Sequence, residues 1–224
     1  MRPTREAVQQ ALTRLRAADP TLKQFGAQGH GYRLNPPLAE AEAVAVEQRL
    51  GVSLPTEYRA FVTQVGDGGA GPGYGVHSLR EWLATAQAAG RKARRCAGEL
   101  VDPARPFRRP VTVAEAARLG GFPTHGVIPL CETGCGGAYC LVTAGTEQGW
   151  VWCYDNGGFY APAYTHDPVY PVGATVADRL RINEAFLAAL LALSNNVRLG
   201  FWAWYQCWLE EAGQGTVREV AKKG

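Results

Sequence analysis

Four cysteines in the second half of the chain are the strongest candidates for a site that performs chemistry or binds a metal. Four thiolates can hold a tetrahedral zinc ion, and the candidates are Cys131, Cys135, Cys140 and Cys153. Structural zinc sites usually take their ligands in pairs from tight C-x2–4-C turns. The first two cysteines have that spacing, but twelve residues separate the last two. Buried thiols therefore explain the pattern better than zinc, for which His125 or His166 would be substitute ligands.

A cysteine nucleophile would need a histidine base and an orienting carboxylate or amide. The chain supplies these residue types in Cys140, in His125 or His166, and in Asp155 or Asn156. No catalytic motif surrounds them, and the glycine-rich stretch 66–75 lacks the lysine and the preceding strand of a phosphate-binding loop. A small Cys/His-dependent hydrolase or transferase is thus an alternative to a non-enzymatic protein, and no cofactor is indicated.

Composition and charge define the class of protein that must position these residues. The 224 residues are 46% hydrophobic and 19% charged, which suits one folded domain with additions. The net charge of +3 is local, because residues 91–109 hold seven basic side chains against two acidic ones. Nucleic-acid binders usually spread basic residues over a folded face. Nucleic acid is therefore disfavoured as a partner, and a zinc-stabilised nucleic-acid adaptor remains an alternative.

Cellular location follows from what the chain lacks. No signal peptide is recognisable, and the longest apolar run, residues 185–193, is far shorter than the ~20 residues that span a bilayer. We expect a cytoplasmic protein that does not enter membranes. In that reducing compartment, cysteines remain thiols more often than they form disulfides.

Hydrophobic periodicity predicts helices at both ends of the chain and strands in the middle. The predicted helices are 4–18, 38–50, one opening at Pro55, 78–89, 180–193 and 201–212; the predicted strands are 127–131, 138–143, 150–154 and 159–161. The fold class is α+β, with a central, mainly antiparallel sheet and helices packed against it. The basic, proline-containing segment at about 91–110 is predicted to be an exposed insertion with little to bury.

The two central strands are predicted to pair through a six-residue loop, residues 144–149. That loop places Cys140 opposite Cys153, and Tyr139 opposite Tyr154. It also places Leu141 opposite Trp152, so one face of the hairpin is aromatic and the other carries small residues.

One ordered set of residues between Glu47 and Gly69 is similar to a known family signature. A helix ends in Glu and Leu-Gly, Leu-Pro opens a second helix with inner Tyr and Phe, and an Asp-Gly-Gly turn follows; the residues are Glu47, Leu50, Gly51, Leu54, Pro55, Tyr58, Phe61, Asp67, Gly68 and Gly69. This set resembles the SUKH superfamily, which contains the fungal Smi/Knr cell-wall regulators and many bacterial toxin-immunity proteins. The stretches VIPLCETGCGGAYCLV and GWVWCYDNGG also resemble the family's central hairpins.

The resemblance implies an α+β domain that binds a partner and does not catalyse a reaction. It covers residues 38–193, with a helical extension at 1–30 and an aromatic helix at 197–212 packed on the domain. The implied function is that of an immunity protein that neutralises a cognate toxin by occluding its working surface.

Aromatic and acidic residues are the candidates for binding a protein partner. Five aromatic residues within 201–208 cover most of a helix circumference, so they either pack inside the molecule or form a partner or dimer surface. The candidate partner-binding residues are Asp67, Trp82, Tyr139, Trp152, Tyr154, Asp155, Trp202, Trp204 and Trp208.

We predict that the cysteines are free thiols without a bound metal, because a second C-x2–4-C turn is missing. Elemental analysis of the purified protein is expected to find no stoichiometric zinc. A thiol reagent in denaturant is expected to label all six cysteines. One equivalent of tightly bound zinc would contradict this prediction.

Overall fold

The computed structural model describes residues 2–88, 95–96, 99–100, 102–108, 114, 125–134, 137–155, 158–160, 170–193 and 199–214. Its helices are α1 (Arg5–Ala18), α2 (Ala27–His30), α3 (Glu40–Leu50), α4 (Thr56–Ala60), α5 (Leu79–Ala88), α6 (Val176–Leu193) and α7 (Phe201–Gly213). A π-helical turn, Phe61–Val65, continues α4.

The strands form two antiparallel sheets. A two-residue pair joins β1 (Arg95–Cys96) and β2 (Glu99–Leu100), and the main sheet has the order β3-β4-β5-β6. The strands of the main sheet are β3 (Val127–Gly134), β4 (Gly137–Val142), β5 (Val151–Asp155) and β6 (Gly158–Tyr160). Consecutive neighbours in an antiparallel meander, flanked by helices earlier and later in the chain, confirm the predicted α+β fold.

The register of the β4–β5 pair differs by one residue from the sequence prediction. Cys140 lies opposite Trp152, and Tyr139 lies opposite Cys153. The predicted pairing of Cys140 with Cys153, of Tyr139 with Tyr154 and, by the same shift, of Leu141 with Trp152 is therefore wrong. Because successive residues point to opposite faces of a sheet, Tyr139 and Trp152 lie on opposite faces, and neither face is purely aromatic.

The shift arises because Thr143 leaves the β4–β5 pair. Its N–H donates to the Gly126 carbonyl at 2.7 Å, and its hydroxyl donates to the Pro103 carbonyl at 2.7 Å. Val142 and Trp150 close the hairpin instead, with the Val142 N–H donating to the Trp150 carbonyl at 3.0 Å. The loop is thus one residue longer than predicted, and every paired side chain changes partner.

Residues 102–108 cover the face of the sheet that carries Trp152. The Phe107 ring lies 6.0 Å from the Trp152 ring, and the Phe107 N–H donates to the Ala144 carbonyl at 3.0 Å. Pro103 is buried beside Thr143. The predicted exposure is found at Ala104, Arg105, Pro106 and Arg108. It fails at Pro103 and in part at Phe107, because backbone hydrogen bonds and one ring attach the segment to the sheet. The rest of 91–110 lies mostly outside the described residues.

The other face of the sheet packs on a core dominated by α7. Phe201 and Trp204 are fully buried, and the Trp204 ring meets Tyr139 of β4 edge-on at 5.4 Å. Phe201 also contacts the rings of Tyr58 at 5.0 Å and Phe61 at 4.8 Å. The α7 helix therefore joins the sheet to the α4 segment, which consists of α4 and the π-helical turn Phe61–Val65.

Helix α1 packs against α7 with one apolar stripe. Val8, Leu12 and Leu15 are at most 3% exposed, and the Thr4 side chain accepts the Ala7 N–H at the start of the helix. At the far end, the Gln24 side chain donates to the Ala212 carbonyl at 3.2 Å. These contacts attach the N-terminal helix to the body of the protein.

Acid pH is predicted to destabilise the protein through His30, a buried histidine at the end of α2. Its Nδ1 accepts the Tyr32 N–H at 3.0 Å, and its ring lies edge-on to Trp208 at 5.8 Å. Burial lowers the pKa of His30 to about 4, so the unfolded chain binds more protons between that value and about 6.5. The contribution of neutral His30 to the free energy of unfolding is therefore fully present above pH 6.5. It is lost as the pH falls toward 4, by about 3 kcal/mol at most.

The His30→Gln variant tests this prediction by urea unfolding across that pH range. It is expected to show a shallower loss of stability than the unchanged protein. Burial also lowers the pKa of His77, which remains in both proteins and contributes equally. His125→Gln is the matched control. Equal slopes for His30→Gln and the unchanged protein would contradict the assignment.

Candidate functional site

A cleft of about 530 Å³ opens where the loop before α4 meets the β4–β5 turn and the start of α7. Its walls come from three separate parts of the chain. They are Ser53, Leu54, Pro55, Thr56 and Glu57 from the first part, Gln148, Gly149 and Trp150 from the second, and Gly200 and Ala203 from the third.

The first wall is set by the Leu-Pro turn between α3 and α4. Gly51 ends α3 with φ +68°, a left-handed conformation that favours glycine. The Glu47 carboxylate accepts the Leu54 N–H at 2.9 Å and lies 3.3 Å from the Arg59 guanidinium. Pro55 precedes the first helical residue of α4, where its fixed φ suits the start of a helix. The turn is therefore held at both ends.

Glu57 connects this turn to α7. Its carboxylate accepts the Trp202 N–H at 3.0 Å, which satisfies one of the free N–H groups at the helix start. A negative charge is favourable there because the helix dipole is positive at that end. A Cβ atom on Gly200 would lie 2.7 Å from the Glu57 Oε2, so a larger residue there would displace this carboxylate.

The second wall carries Trp150, which is half-buried. Trp150 forms an antiparallel bridge with Gly200, and the Val151 N–H donates to the Leu199 carbonyl at 2.9 Å. The β4–β5 turn is thus fastened to the segment that leads into α7. The lining of the cleft combines apolar residues such as Pro55 with the exposed polar residues Ser53 and Gln148.

The residues of the SUKH-like signature have structural positions around this turn. Leu50, Leu54, Tyr58 and Phe61 are at most 5% exposed. In the following turn Gly68 has φ +78° and Gly69 has φ +102°. A Cβ on Gly69 would lie 2.4 Å from the Arg33 carbonyl oxygen, so the close approach of two backbones requires glycine.

The comparison with known protein families agrees with these positions. The sequence model of the SMI1 / KNR4 family (SUKH-1) matches residues 37–180, more than half of the chain. This chain belongs to the SMI1/KNR4 (SUKH-1) family. No curated protein matches it.

The SUKH-1 match leaves out the regions that contain α1, α2 and α7. It does include the first two walls of the cleft, whereas Gly200 and Ala203 lie beyond its end. The family is made up in general of non-catalytic immunity and regulatory domains whose members typically bind protein partners. Among the described residues, no helix has the length and apolar character needed to cross a membrane.

Asp67 of the SUKH-1 signature, predicted to bind a partner, is fully buried. Its carboxylate accepts the Ser78 hydroxyl at 2.7 Å, the Leu79 N–H at 2.8 Å and the Arg80 N–H at 3.2 Å. These are the donors at the start of α5, so Asp67 caps that helix from another part of the chain. The expectation of a direct partner contact is corrected accordingly.

The tryptophans predicted to bind a partner also lie inside the protein. Trp152, Trp202, Trp204 and Trp208 are at most 7% exposed. The half-buried Tyr139 packs on Trp204. Burial of these rings corrects the expectation that they form a surface. The three tryptophans of α7 are covered by α1, α4 and the sheet, and Trp152 of β5 packs against Phe107. The side chains of Trp82, Tyr154 and Asp155 lie outside the described part of the structure.

Sequence reasoning missed Trp150, Glu57 and Ala203 as residues of the cleft. The Leu-Pro motif was the available signal, because it marks the turn that forms the first wall. The contribution of α7 could not be read from the motif, since residues 200 and 203 are far from it in sequence.

The cysteines predicted to be buried thiols lie in the sheet. Cys131 and Cys140 are fully buried, and Cys153 is 4% exposed. Burial raises the pKa of Cys140 to about 12 and that of Cys131 well above its ordinary value. A thiol in this environment stays protonated and is a poor nucleophile or metal ligand. Within the described ranges, no group of three or more His, Cys, Asp or Glu side chains could hold a metal ion. Cys135 and His166 lie outside them.

His125, a candidate for a catalytic base, uses both ring nitrogens in contacts with a neighbouring loop. Its Nδ1 accepts the Asp102 N–H at 3.3 Å, and its Nε2 lies 3.0 Å from the Arg105 guanidinium. Both nitrogens therefore contact the 102–105 loop.

The Asp67→Ala variant is expected to lose about 2–4 kcal/mol of stability, because three donors lose their acceptor and two of them are buried. Denaturant unfolding measures the change. Glu81→Ala, on the exposed side of α5, is the control and is expected to change stability by less than about 0.5 kcal/mol. An equally small effect of Asp67→Ala would contradict its capping role.

Proposed function

We propose that this protein is a non-enzymatic protein-binding module of the immunity type, which neutralises a cognate toxin by occluding its working surface. The proposal places it in the cytoplasm, where it would meet an incoming toxin. The observation that carries the proposal is the cleft at the Leu54–Pro55 turn, because family-matched residues and a half-buried tryptophan meet there in an accessible concavity.

The composition of the cleft suits a protein partner. Protein interfaces pair a well-packed apolar centre, often with an aromatic anchor, with a polar rim. Here Pro55 and Trp150 provide the apolar surface, and Ser53, Thr56 and Gln148 provide the polar rim. The volume of about 530 Å³ accommodates a few side chains of a partner. We expect the partner to insert an apolar side chain between Pro55 and Trp150.

The walls of the cleft are held in place before binding. Glu57 joins the Leu-Pro turn to α7, and the bridge between Trp150 and Gly200 joins the β4–β5 turn to the same helix. A preorganised surface loses little conformational entropy on binding, which favours tight association. That property suits a protein that must block a toxin completely.

The two alternative functions have less support. The hydrolase alternative needs a reactive thiol, whereas burial raises the pKa of Cys140. Its histidine candidate His125 contacts Asp102 and Arg105. The nucleic-acid adaptor needs a zinc site, and the described cysteines do not form one.

The test begins with the genes next to the one that encodes this protein. We expect one of them to encode a polymorphic toxin whose toxic domain stops bacterial growth when expressed alone. Co-expression of the present protein is expected to restore growth, and the two purified proteins are expected to form a stable complex.

The Ala203→Arg variant tests the cleft itself. Ala203 is exposed on α7, so a long charged side chain there fills the cleft without entering the core. We expect toxin binding to weaken at least 100-fold with an unchanged unfolding temperature. Ala17→Arg, at an exposed alanine of α1, is the matched control and is expected to bind normally. Full protection by Ala203→Arg would contradict binding at the cleft.

A further inference from the structure

A second concavity lies outside the region matched by the SUKH-1 family. It occupies about 370 Å³ between the exposed side of α1 and the segment that follows α2. Its lining residues are Leu12, Thr13, Arg16, Leu22, Gly31, Tyr32 and Arg33. None of them lines the Leu54–Pro55 cleft. We call this concavity the α1 pocket.

The α1 pocket is positively charged. Two guanidinium groups line it and no acidic side chain does. The surrounding N-terminal region, residues 2–35, holds six basic residues and two acidic ones, Glu6 and Asp19. Asp19 is buried, and the charge of Arg16 contributes to lowering its pKa. The pocket is therefore complementary to an anion.

Arg33 is a cation whose backbone is held at the pocket. Its N–H donates to the His30 carbonyl at 2.9 Å, and its own carbonyl accepts the Ala70 N–H at 2.7 Å, which fixes the backbone. Its guanidinium folds back over Gly31, where a Cβ would lie 3.5 Å from the Arg33 Nε. Its side chain is exposed. Among the residues that the structure describes, this guanidinium has no hydrogen bond or ion pair.

Arg16 adds a second cation with donors to spare. One of its terminal nitrogens donates to the Asp19 and Pro20 carbonyls at 3.1 and 2.8 Å, which closes the end of α1. A guanidinium has five N–H donors, so this use leaves others for a ligand. Two arginines that line one pocket suit a carboxylate, which arginine binds in a bidentate manner.

The pocket wall is built from strained backbone. Leu22 and Tyr32 adopt φ +55° and +58°, a region that bulky residues rarely enter. Asp19 holds them there, because its carboxylate accepts the Tyr32 hydroxyl at 2.9 Å and the Lys23 N–H at 2.8 Å. Burial alone would raise the pKa of Asp19, but these hydrogen bonds and those from Gln24 outweigh it and hold the pKa below its ordinary value.

Such strain is unfavourable and is found mainly at functional sites. Both strained residues, Leu22 and Tyr32, line the α1 pocket together with the two arginines. The pocket thus combines an apolar wall with two cations.

We propose that the α1 pocket binds an acidic peptide segment, with a carboxylate between Arg16 and Arg33 and a neighbouring apolar side chain against Leu22 and Tyr32. The site is a second contact for a protein partner. The proposed function supplies only the source of that peptide, and the pocket can be tested without the toxin.

The test is an NMR titration of the full ¹⁵N-labelled chain with small probes. N-acetyl-Leu-Glu-amide is expected to shift the Arg33 and Arg16 Nε–H signals and the Tyr32 amide in a saturable manner. N-acetyl-Leu-Gln-amide, which differs only in lacking the charge, is expected to bind at least tenfold more weakly. Arg33→Gln is expected to weaken binding of the acidic probe at least tenfold. Arg14→Gln, at an exposed arginine of α1 that does not line the pocket, is expected to leave it unchanged.

Three results would overturn the proposal. They are equal binding of the Glu and Gln probes, an unchanged affinity in Arg33→Gln, and saturable binding of inorganic phosphate in the absence of peptide binding, which would assign the pocket to phosphoryl ligands instead. The thermal unfolding temperature of each variant confirms that it is folded. Because Ala203→Arg does not touch the α1 pocket, failure here leaves the test of the toxin-binding cleft unaffected.

Discussion

The packing of Phe201 against Tyr58 and Phe61 is the interaction on which the rest of the structure depends. All three rings are fully buried, and the centroids of Tyr58 and Phe61 lie 5.0 and 4.8 Å from that of Phe201. Full burial of a side chain of the size of Phe contributes about 1.5–3 kcal/mol. This contact joins the α4 segment of the family signature to a helix that lies beyond the family match.

Aromatic residues on the other sides of α7 connect this helix to the sheet, to the glycine-rich turn and to α2. Trp204 meets the sheet through Tyr139, and the Tyr205 hydroxyl donates to the Ala70 carbonyl at 2.7 Å in the glycine-rich turn. Trp208 meets His30 of α2, and α1 packs along the same helix. The aromatic residues of α7, which the sequence also allowed as a binding surface, therefore belong to the core. Both concavities proposed as binding sites lie where segments from different parts of the chain meet.

Local signals in the sequence predicted most of the elements but not how side chains are used. The Leu-Gly and Leu-Pro pair predicted a helix end and a helix start, because glycine and proline restrict the backbone wherever they occur. The signature turn was predicted as well, but the capping role of Asp67 was not, since its partners at α5 are eleven or more positions away. Local patterns carry no information on such contacts.

The one-residue error in the hairpin has a similar cause. Loops of six and seven residues both fit the alternation of the two strands, and the choice is made by Thr143, which bonds to Gly126 and Pro103. The second bond comes from a segment whose composition predicted an exposed loop. The two candidate binding sites were missed for the same reason. Trp150 and Ala203 line one concavity, and Arg16 and Arg33 line the other, only because the folded chain brings separate segments together.

The central claim is that this SUKH-1 protein binds its partner through the cleft at Trp150, while the tryptophans of α7 form the core. The most direct measurement is the ¹⁵N–¹H spectrum of the tryptophan indole groups, recorded while the toxin encoded by the neighbouring gene is added. The account predicts that the Trp150 indole signal shifts in proportion to complex formation, whereas those of Trp204 and Trp208 keep their positions. Shifts of the α7 indoles with an unchanged Trp150 signal would contradict it.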